Sequence, residues 1–229
     1  MRFLIPLFLL VVSFGNAQEI NQMDTNGARH GVWKKYFEGT KQLRYEGTFD
    51  HGKEVGTFKF YCDDCKGQPA VTKEFTLANA IADVKYFTVK AKLVSEGKMD
   101  GKLRIGEWLT YHKKGVGVMT KETYQNGKLT NKKYVYYPNG VVAEEATYAK
   151  GLLDGTSNFY SYDAKLLKEL IYKNDLLEGP AVYYDATGAK LMEGVYVNDR
   201  KKGIWKFYKD GVVDKEETFP KPLEKNKKN

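Results

Sequence analysis

The stretch that decides the fold is Gly203-Ile204-Trp205-Lys206-Phe207-Tyr208, because its Gly-x-aromatic-x-x-Tyr pattern recurs along the chain. Tyrosines follow one another at intervals of 24 or 25 residues, at Tyr36, Tyr61, Tyr86, Tyr111, Tyr136, Tyr160, Tyr184 and Tyr208. Self-similarity at a fixed period is the signature of a repeat architecture. The sequence therefore predicts an array of about eight units.

Each unit contains two segments of strand-like composition. A glycine precedes the tyrosine by five residues in most units, at Gly31, Gly56, Gly106, Gly155, Gly179 and Gly203. Two residues after the glycine stands Trp33, Phe58, Trp108 or Trp205. A second aromatic follows the tyrosine, often shortly after a glutamate, at Phe49, Tyr124, Tyr148, Tyr172, Tyr196 and Phe219. We expect the repeat glycine to permit close approach of a neighbouring ring or strand, and stacking of equivalent rings to supply most of the cohesion.

Turn-forming dipeptides separate the segments, for example Asn139-Gly140 within a unit and Asn126-Gly127 between units. Such dipeptides supply the positive φ angles of tight hairpin turns. We therefore predict an all-β fold: an elongated, single-layer antiparallel β-hairpin repeat, a meander solenoid of about sixteen strands.

The domain organisation follows from composition. Residues 1–17 have Arg2, an apolar run from Phe3 to Phe14 and a terminal Ala17, which is typical of a cleaved secretory signal peptide. A membrane span is the competing interpretation, but the run is shorter than the ~20 residues that cross a bilayer. We expect a cap or linker at 18–25, the repeat array at 26–219 and a basic, disordered tail at 220–229.

The array is predicted to be degenerate at 62–95. Tyr86 keeps the spacing, but Ile81 and Asp83 stand where glycine and the aromatic are expected, and Leu77 to Val84 has a weak helical periodicity. Cys62 and Cys65 begin this segment, and they are the two cysteines of the chain. We expect a local disulfide in an exported protein; a redox dithiol, half of a metal site or free thiols stay open as alternatives.

The composition favours a binding role. The chain has a formal net charge of +8, or about +7 without Arg2. Outside the cell this charge suits anionic lipid, lipopolysaccharide or an acidic protein better than a nucleic acid, and a solvated basic surface without a ligand is the simpler alternative. We expect no catalytic or cofactor site, because the sequence contains no Gly-x-Ser-x-Gly, phosphate-loop or dinucleotide motif. We expect no metal site, because the three histidines, His30, His51 and His112, have no carboxylate or cysteine partner at ligand spacing. Superposition of the repeats would bring His30 and His51 together across adjacent hairpins, but we expect no metal site there.

The units Gly203 to Gly211 and Gly106 to Tyr111 resemble the MORN-repeat variant found in proteins of the YwqK-type antitoxin family. The resemblance covers 26–219 and is weakest at 62–95 and in the Tyr136 unit, where Asn131 and Lys133 replace glycine and tryptophan. It implies a hairpin per repeat and a binding or scaffolding role, with phospholipid, a protein assembly or a neutralised toxin as the ligand. Together with the predicted export, it favours a periplasmic or secreted bacterial scaffold that binds a protein; a lipid-associated structural protein and an immunity-type antitoxin are the alternatives.

Overall fold

The computed structural model describes residues 19–76, 80–113 and 115–221. The predicted signal peptide and most of the predicted basic tail lie outside these residues. Within the described part of the chain, no helix has the length and the hydropathy needed to cross a bilayer.

The described residues form one open sheet of 17 strands, which confirms the predicted all-β hairpin meander. Each strand from β2 to β16 pairs antiparallel with the strand that follows it in sequence, and the short β1 pairs with β2. The strands are β1 (Gln22–Met23), β2 (Arg29–Tyr36), β3 (Leu43–Asp50), β4 (Lys53–Phe60), β5 (Val71–Phe75), β6 (Ile81–Phe87), β7 (Leu93–Asp100), β8 (Leu103–Tyr111), β9 (Val118–Gln125), β10 (Lys128–Tyr136), β11 (Val142–Ala149), β12 (Leu152–Tyr160), β13 (Leu166–Lys173), β14 (Leu176–Tyr184), β15 (Lys190–Val197), β16 (Arg200–Lys209) and β17 (Val212–Phe219).

The turns between units are tight hairpins whose central residues have positive φ. Asn126 and Gly127 have φ of 50° and 74°, and Asn198 and Asp199 have 48° and 64°. This backbone geometry matches the twist of the flanking strands. These turns also bind the preceding unit, since the amide of Gly127 donates to the carbonyl of Arg104 at 3.0 Å. Equivalent bonds at other turns join successive units along this edge of the sheet.

The repeat glycines lie at bulges, and the close approach expected of them is found at only two: a Cβ would stand 3.0 Å from Cβ of Thr147 at Gly155 and 3.1 Å from Cβ of Ile171 at Gly179. The others have open surroundings. Gly106 has a φ of 63°, and a Cβ placed on it would meet nothing within 4 Å. The register shifts beside it, because Lys98 pairs with Ile105 while Gly97 pairs with Trp108. Gly31, Gly56 and Gly203 have the same open surroundings and positive φ. Positive φ is the conformation that glycine adopts without a steric penalty.

The Tyr136 unit keeps this bulge without a glycine. Asn131 has a φ of 57°, and the register of β9 with β10 shifts between Thr130 and Tyr134. Asparagine is one of the few other residues that visit this left-handed region. Asparagine in place of the repeat glycine therefore keeps the same backbone conformation.

The degenerate unit is out of phase by one residue, so the assignment of Tyr86 as a repeat tyrosine is wrong. The register shift that precedes other repeat tyrosines falls between Tyr86 and Phe87. Phe87 consequently takes the repeat position, and Ala82 and Val84, both buried, stand in place of the glycine and the aromatic. The strands β5 and β6 pair without a bulge. The weak helical periodicity of Leu77 to Val84 does not correspond to a helix at Ile81 to Val84, because these residues belong to β6. Residues 77–79 lie outside the described part.

Candidate binding surface

Strand alternation gives the sheet two faces of different chemistry. One face, which we call the aromatic face, is centred on a row of laterally adjacent positions that crosses the whole array. Its side chains include those most deeply buried in the described residues, such as Trp108 and Trp205 at 1% and 0% exposure. The row consists of Trp33, Gly47, Phe58, Lys73, Val84, Gly97, Trp108, Glu122, Lys133, Ala146, Ser157, Leu170, Ala181, Gly194, Trp205 and Glu217.

The large rings of this row lie on glycines of the neighbouring strand. A Cβ on Gly97 would stand 2.4 Å from Cδ2 of Trp108, and a Cβ on Gly194 would stand 2.3 Å from the same atom of Trp205. Gly47 has the same relation to Phe58, at 2.3 Å. These distances are far inside van der Waals contact. The close approach of an aromatic ring is thus made by three glycines outside the repeat motif, which lie in the preceding strand.

Where the ring is absent, the facing residue is larger. Ser157 takes the position of the tryptophan in its unit, and it pairs with Ala146 on one side and Leu170 on the other. In this unit a small side chain thus faces alanine, whereas the large rings of other units face glycine, so the sizes of the two facing residues compensate each other.

The rings of the central row pack against rings that lie beside the row. The expected stacking of equivalent rings from successive units is therefore not the arrangement in the described residues. Trp205 packs edge-on against Tyr196, with ring centroids 5.0 Å apart, and Trp33 packs edge-on against Phe49 at 5.9 Å. The indole N–H of Trp108 donates to the carbonyl of Lys98 at 3.0 Å, at the bulge itself. The tryptophan thus fills the space and also satisfies a carbonyl at the register shift.

A cation lies over each tryptophan. The guanidinium of Arg104 is 4.2 Å from the ring centroid of Trp108, the ammonium of Lys201 is 4.1 Å from that of Trp205, and Arg29 is 4.9 Å from Trp33. The geometry is that of cation–π pairs. Each cation precedes its tryptophan by four residues, and the bulge keeps both on the aromatic face.

A second row on this face carries tyrosines that are half-buried: Tyr124, Tyr148, Tyr172 and Tyr196. Burial is the main cause that raises the pKa of the Tyr124, Tyr148 and Tyr172 hydroxyls. The hydroxyl groups of Tyr196 and Tyr183 hydrogen-bond each other at 3.1 Å. The row therefore presents rigid rings with polar tips along the sheet.

The aromatic face is interrupted by a polar cluster in the Tyr136 unit. Glu122 and Lys133, which replace the glycine and the ring of the central row, form an ion pair at 3.7 Å. The Glu122 carboxylate also accepts a hydrogen bond from the Tyr124 hydroxyl at 3.0 Å and lies 3.9 Å from Arg104. The Glu122 side chain is 16% exposed, so this charge is largely held within the sheet.

The opposite face, which we call the ionic face, gives three of the repeat tyrosines a glutamate partner. The hydroxyl of Tyr61 donates to Glu46 of the preceding unit at 2.8 Å, Tyr208 donates to Glu193 at 2.5 Å, and Tyr111 donates to Glu96. Burial and the Glu46 bond raise the pKa of Tyr61 to about 12, and the Glu96 bond and burial raise that of Tyr111 to about 12.

Lysines complete the ionic face. Glu46 lies 3.6 Å from Lys34 and 3.7 Å from Lys59, and Glu96 lies 3.5 Å from Lys85. The Tyr61 bond is the main cause that holds the pKa of Glu46 below its usual value. This face thus pairs its charges within the protein.

Cys62 and Cys65 are joined by a disulfide in the turn between β4 and β5, with Cα atoms 5.1 Å apart. The side-chain amide of Gln42 donates to the carbonyls of Cys62 and Asp63 at 2.9 and 2.6 Å. Cys65 is buried at 1% exposure. The turn is therefore fixed against the preceding hairpin loop.

The remaining predicted residues form no common cluster in the described part of the chain, apart from the contact of His30 with His51. Tyr36, Tyr160 and Tyr184 are on the ionic face by strand alternation, and His112 contacts the carbonyl of Tyr136 at 3.1 Å. The rings of His30 and His51 meet with centroids 4.7 Å apart. The hydrogen bond between His51 and Asp24 raises the pKa of His51 and lowers that of Asp24.

A groove of about 460 Å³ opens beside the first two units. The open groove is lined by Arg29, Lys35, Phe37, Arg44, Tyr45, Phe49, Glu54, Phe58, Phe60 and Tyr61. It exposes rings and cations together at the N-terminal end of the aromatic face.

Comparisons with known proteins give no assignment: no family model matches the chain, and no curated protein matches it significantly.

Proposed function

We propose that the protein is a non-catalytic scaffold whose aromatic face binds a protein partner in the cell envelope or outside the cell. The observation that carries the proposal is the combination of half-buried tyrosines with Arg29, Arg104 and Lys201, each stacked on a tryptophan. Tyrosine, tryptophan and arginine are the residues enriched in the energetic centres of protein interfaces.

The aromatic face suits binding better than the ionic face for two reasons. Its rings are held by their neighbours, so little side-chain freedom is lost when a partner docks. The ionic face, in contrast, satisfies its carboxylates with its own lysines and tyrosines, as around Glu46. A partner there would have to replace bonds that already exist.

The array gives the partner an extended site. Successive strands are about 4.8 Å apart, so each hairpin unit adds roughly 10 Å to the surface. The polar cluster of Glu122 and Lys133 divides the aromatic face into two apolar stretches, one from Phe49 to Trp108 and one from Leu170 to Trp205. An acidic partner with apolar groups on either side of a polar segment would match this arrangement.

The predicted signal peptide at 1–17 supports the proposed location in the cell envelope or outside the cell. Cell fractionation followed by mass determination tests it, and the expected product begins at Gln18 in the periplasmic or secreted fraction. Recovery of the full-length chain from the cytoplasm would contradict the proposed location.

Affinity capture with matched variants tests the binding face. R29Q/R104Q/K201Q removes three cations from the aromatic face, and K34Q/K59Q/K85Q removes three from the ionic face, so the net charge changes equally. We expect the wild-type chain to capture one dominant protein from envelope and secreted fractions, the aromatic-face variant to lose it, and the ionic-face variant to retain it. The MORN-like resemblance makes a lipid ligand the main competitor. If no protein is captured, and both variants bind anionic vesicles equally less than the wild type does, the proposal is wrong and the ligand is a lipid surface.

A further inference from the structure

We propose that His30, Asp50 and His51 form a binding site for a borderline divalent transition metal, with Zn²⁺ the first choice, and that Asp24 orients His51 for it. The three residues offer donor atoms that all lie within 4.8 Å of one another. Spacing along the chain does not reveal them as a set. They meet because the β3–β4 turn folds back beside the first residues of β2.

The donor atoms converge from two neighbouring strands. Oδ1 of Asp50 lies 3.7 Å from Nδ1 of His30 and 3.9 Å from Nε2 of His51. The backbone amide of His51 donates to Nδ1 of His30 at 3.4 Å, so this nitrogen is unprotonated and its lone pair faces the turn that carries the other two ligands. A bound metal would replace this long hydrogen bond and leave the exposed amide to water. Because all three side chains are exposed, small rotations bring these atoms to the ~2 Å bond lengths of a zinc site.

Asp24 makes the arrangement more than a chance meeting of surface residues. Its Oδ1 accepts hydrogen bonds from the amides of Asn26 and Ala28, at 2.9 and 2.8 Å, and its side chain is only 8% exposed. Its Oδ2 lies 2.6 Å from Nδ1 of His51. This fixes the proton on Nδ1 and leaves Nε2, on the side of Asp50, free to bind. A carboxylate that accepts the second ring N–H is the usual outer partner of a metal-bound histidine.

The ligand chemistry selects the ion. Two imidazoles and one carboxylate suit Zn²⁺ and its neighbours Ni²⁺ and Cu²⁺, whereas Ca²⁺ and Mg²⁺ prefer oxygen ligands. Three protein ligands leave at least one coordination position for water or for a group of another molecule. The site would also tie the Asp24 turn and β2 to the β3–β4 turn at the N-terminal end of the array, so metal binding should raise the thermal stability.

Calorimetric titration of the metal-stripped, disulfide-intact protein with Zn²⁺ tests the proposal. We expect one ion per chain, with at least tenfold weaker binding for His30→Ala and for His51→Ala. Asp24→Asn should weaken binding by about 10- to 100-fold although it supplies no ligand. His112→Ala is the matched control, because His112 lies beside Tyr136 and should leave the affinity unchanged.

A measurement on the unaltered protein guards against misfolded variants. Ring-proton NMR spectra of the wild-type chain during Zn²⁺ titration should show saturable shifts for His30 and His51 and none for His112. A dissociation constant weaker than about 1 mM, or shifts that involve His112 equally, would overturn the site. Tight binding that His51→Ala leaves unchanged would also overturn it.

Discussion

The contact of Gly97 with Trp108 predicts a measurable coupling between the two residues. In Gly97→Ala, the new methyl group would lie 2.4 Å from Cδ2 and 2.5 Å from Cε2 of the indole. Carbon atoms in ordinary contact are about 3.5–4.0 Å apart, so the ring must retreat by roughly 1 Å. Trp108 is 1% exposed and bonded through its N–H to Lys98, which leaves it little room. Overpacking of this kind costs about 2 kcal/mol.

The same substitution should cost nothing once the ring is gone. Trp108→Ser alone should destabilise by about 4 kcal/mol, the range for removing a buried aromatic. In that background the methyl group has space, and φ of Gly97 is not positive, so alanine should stabilise by about 0.5 kcal/mol through the unfolded chain. The predicted coupling energy is therefore about 2.5 kcal/mol. The protein itself contains the resulting pair, since Ala146 faces Ser157.

Urea unfolding followed by circular dichroism measures the four proteins of this cycle. Gly106→Ala is the matched control from the same unit, because its cost of about 1–2 kcal/mol comes from its φ of 63° and should be equal in both backgrounds. If Gly97→Ala costs the same with and without Trp108, the ring-on-glycine account of the array is wrong.

Three further predictions concern other parts of the sheet. The pKa values of Tyr61 and Tyr111, raised to about 12, mean that the folded state holds protons that the unfolded state loses near pH 10. The stability that these two hydroxyls contribute to the folded state is therefore present below pH 10 and lost between pH 10 and 12. The double variant Tyr61→Phe/Tyr111→Phe should show a smaller fall of melting temperature between pH 10 and 12 than the wild type. An unchanged slope would contradict the assignment. Cys62→Ser/Cys65→Ser should lower the free energy of unfolding by about 2 kcal/mol, as expected for so small a loop, and reductant should have no effect on the variant but a similar effect on the wild type. Asn131→Gly should leave stability within about 0.5 kcal/mol, whereas Asn131→Val should cost about 1–2 kcal/mol in urea unfolding, because valine resists positive φ; equal stability of the two variants would refute a bulge at this position.

The regular part of the fold was predictable because spacing and turn chemistry act locally. The interval between Tyr184 and Tyr208, with Asn198-Asp199 between them, defines two strands and their turn without any tertiary information. The phase of the degenerate unit was not predictable from tyrosines, because Tyr86 lies one residue before the register shift. The 24-residue interval from Phe87 to Tyr111 was the available signal.

The roles of individual site residues needed the structure. A glycine motif does not distinguish positive φ at Gly106 from ring contact at Gly97, because both interpretations require the absence of a Cβ. The cations stacked on the tryptophans had a sequence signal, since Arg29, Arg104 and Lys201 each precede a tryptophan by four residues. The convergence of His30 with His51 depends on the register of β2 against the β3–β4 turn, so composition and spacing alone left it undecided.

The measurement that tests the proposed binding face most directly is hydroxyl-radical footprinting of the tyrosines, in the free protein and with the captured partner bound. Tyr124, Tyr148, Tyr172 and Tyr196 lie on the aromatic face, and Tyr36, Tyr160 and Tyr184 provide the comparison on the ionic face. We predict that the partner protects some or all of the first group and leaves oxidation of the second group unchanged. Protection confined to the second group would contradict the account.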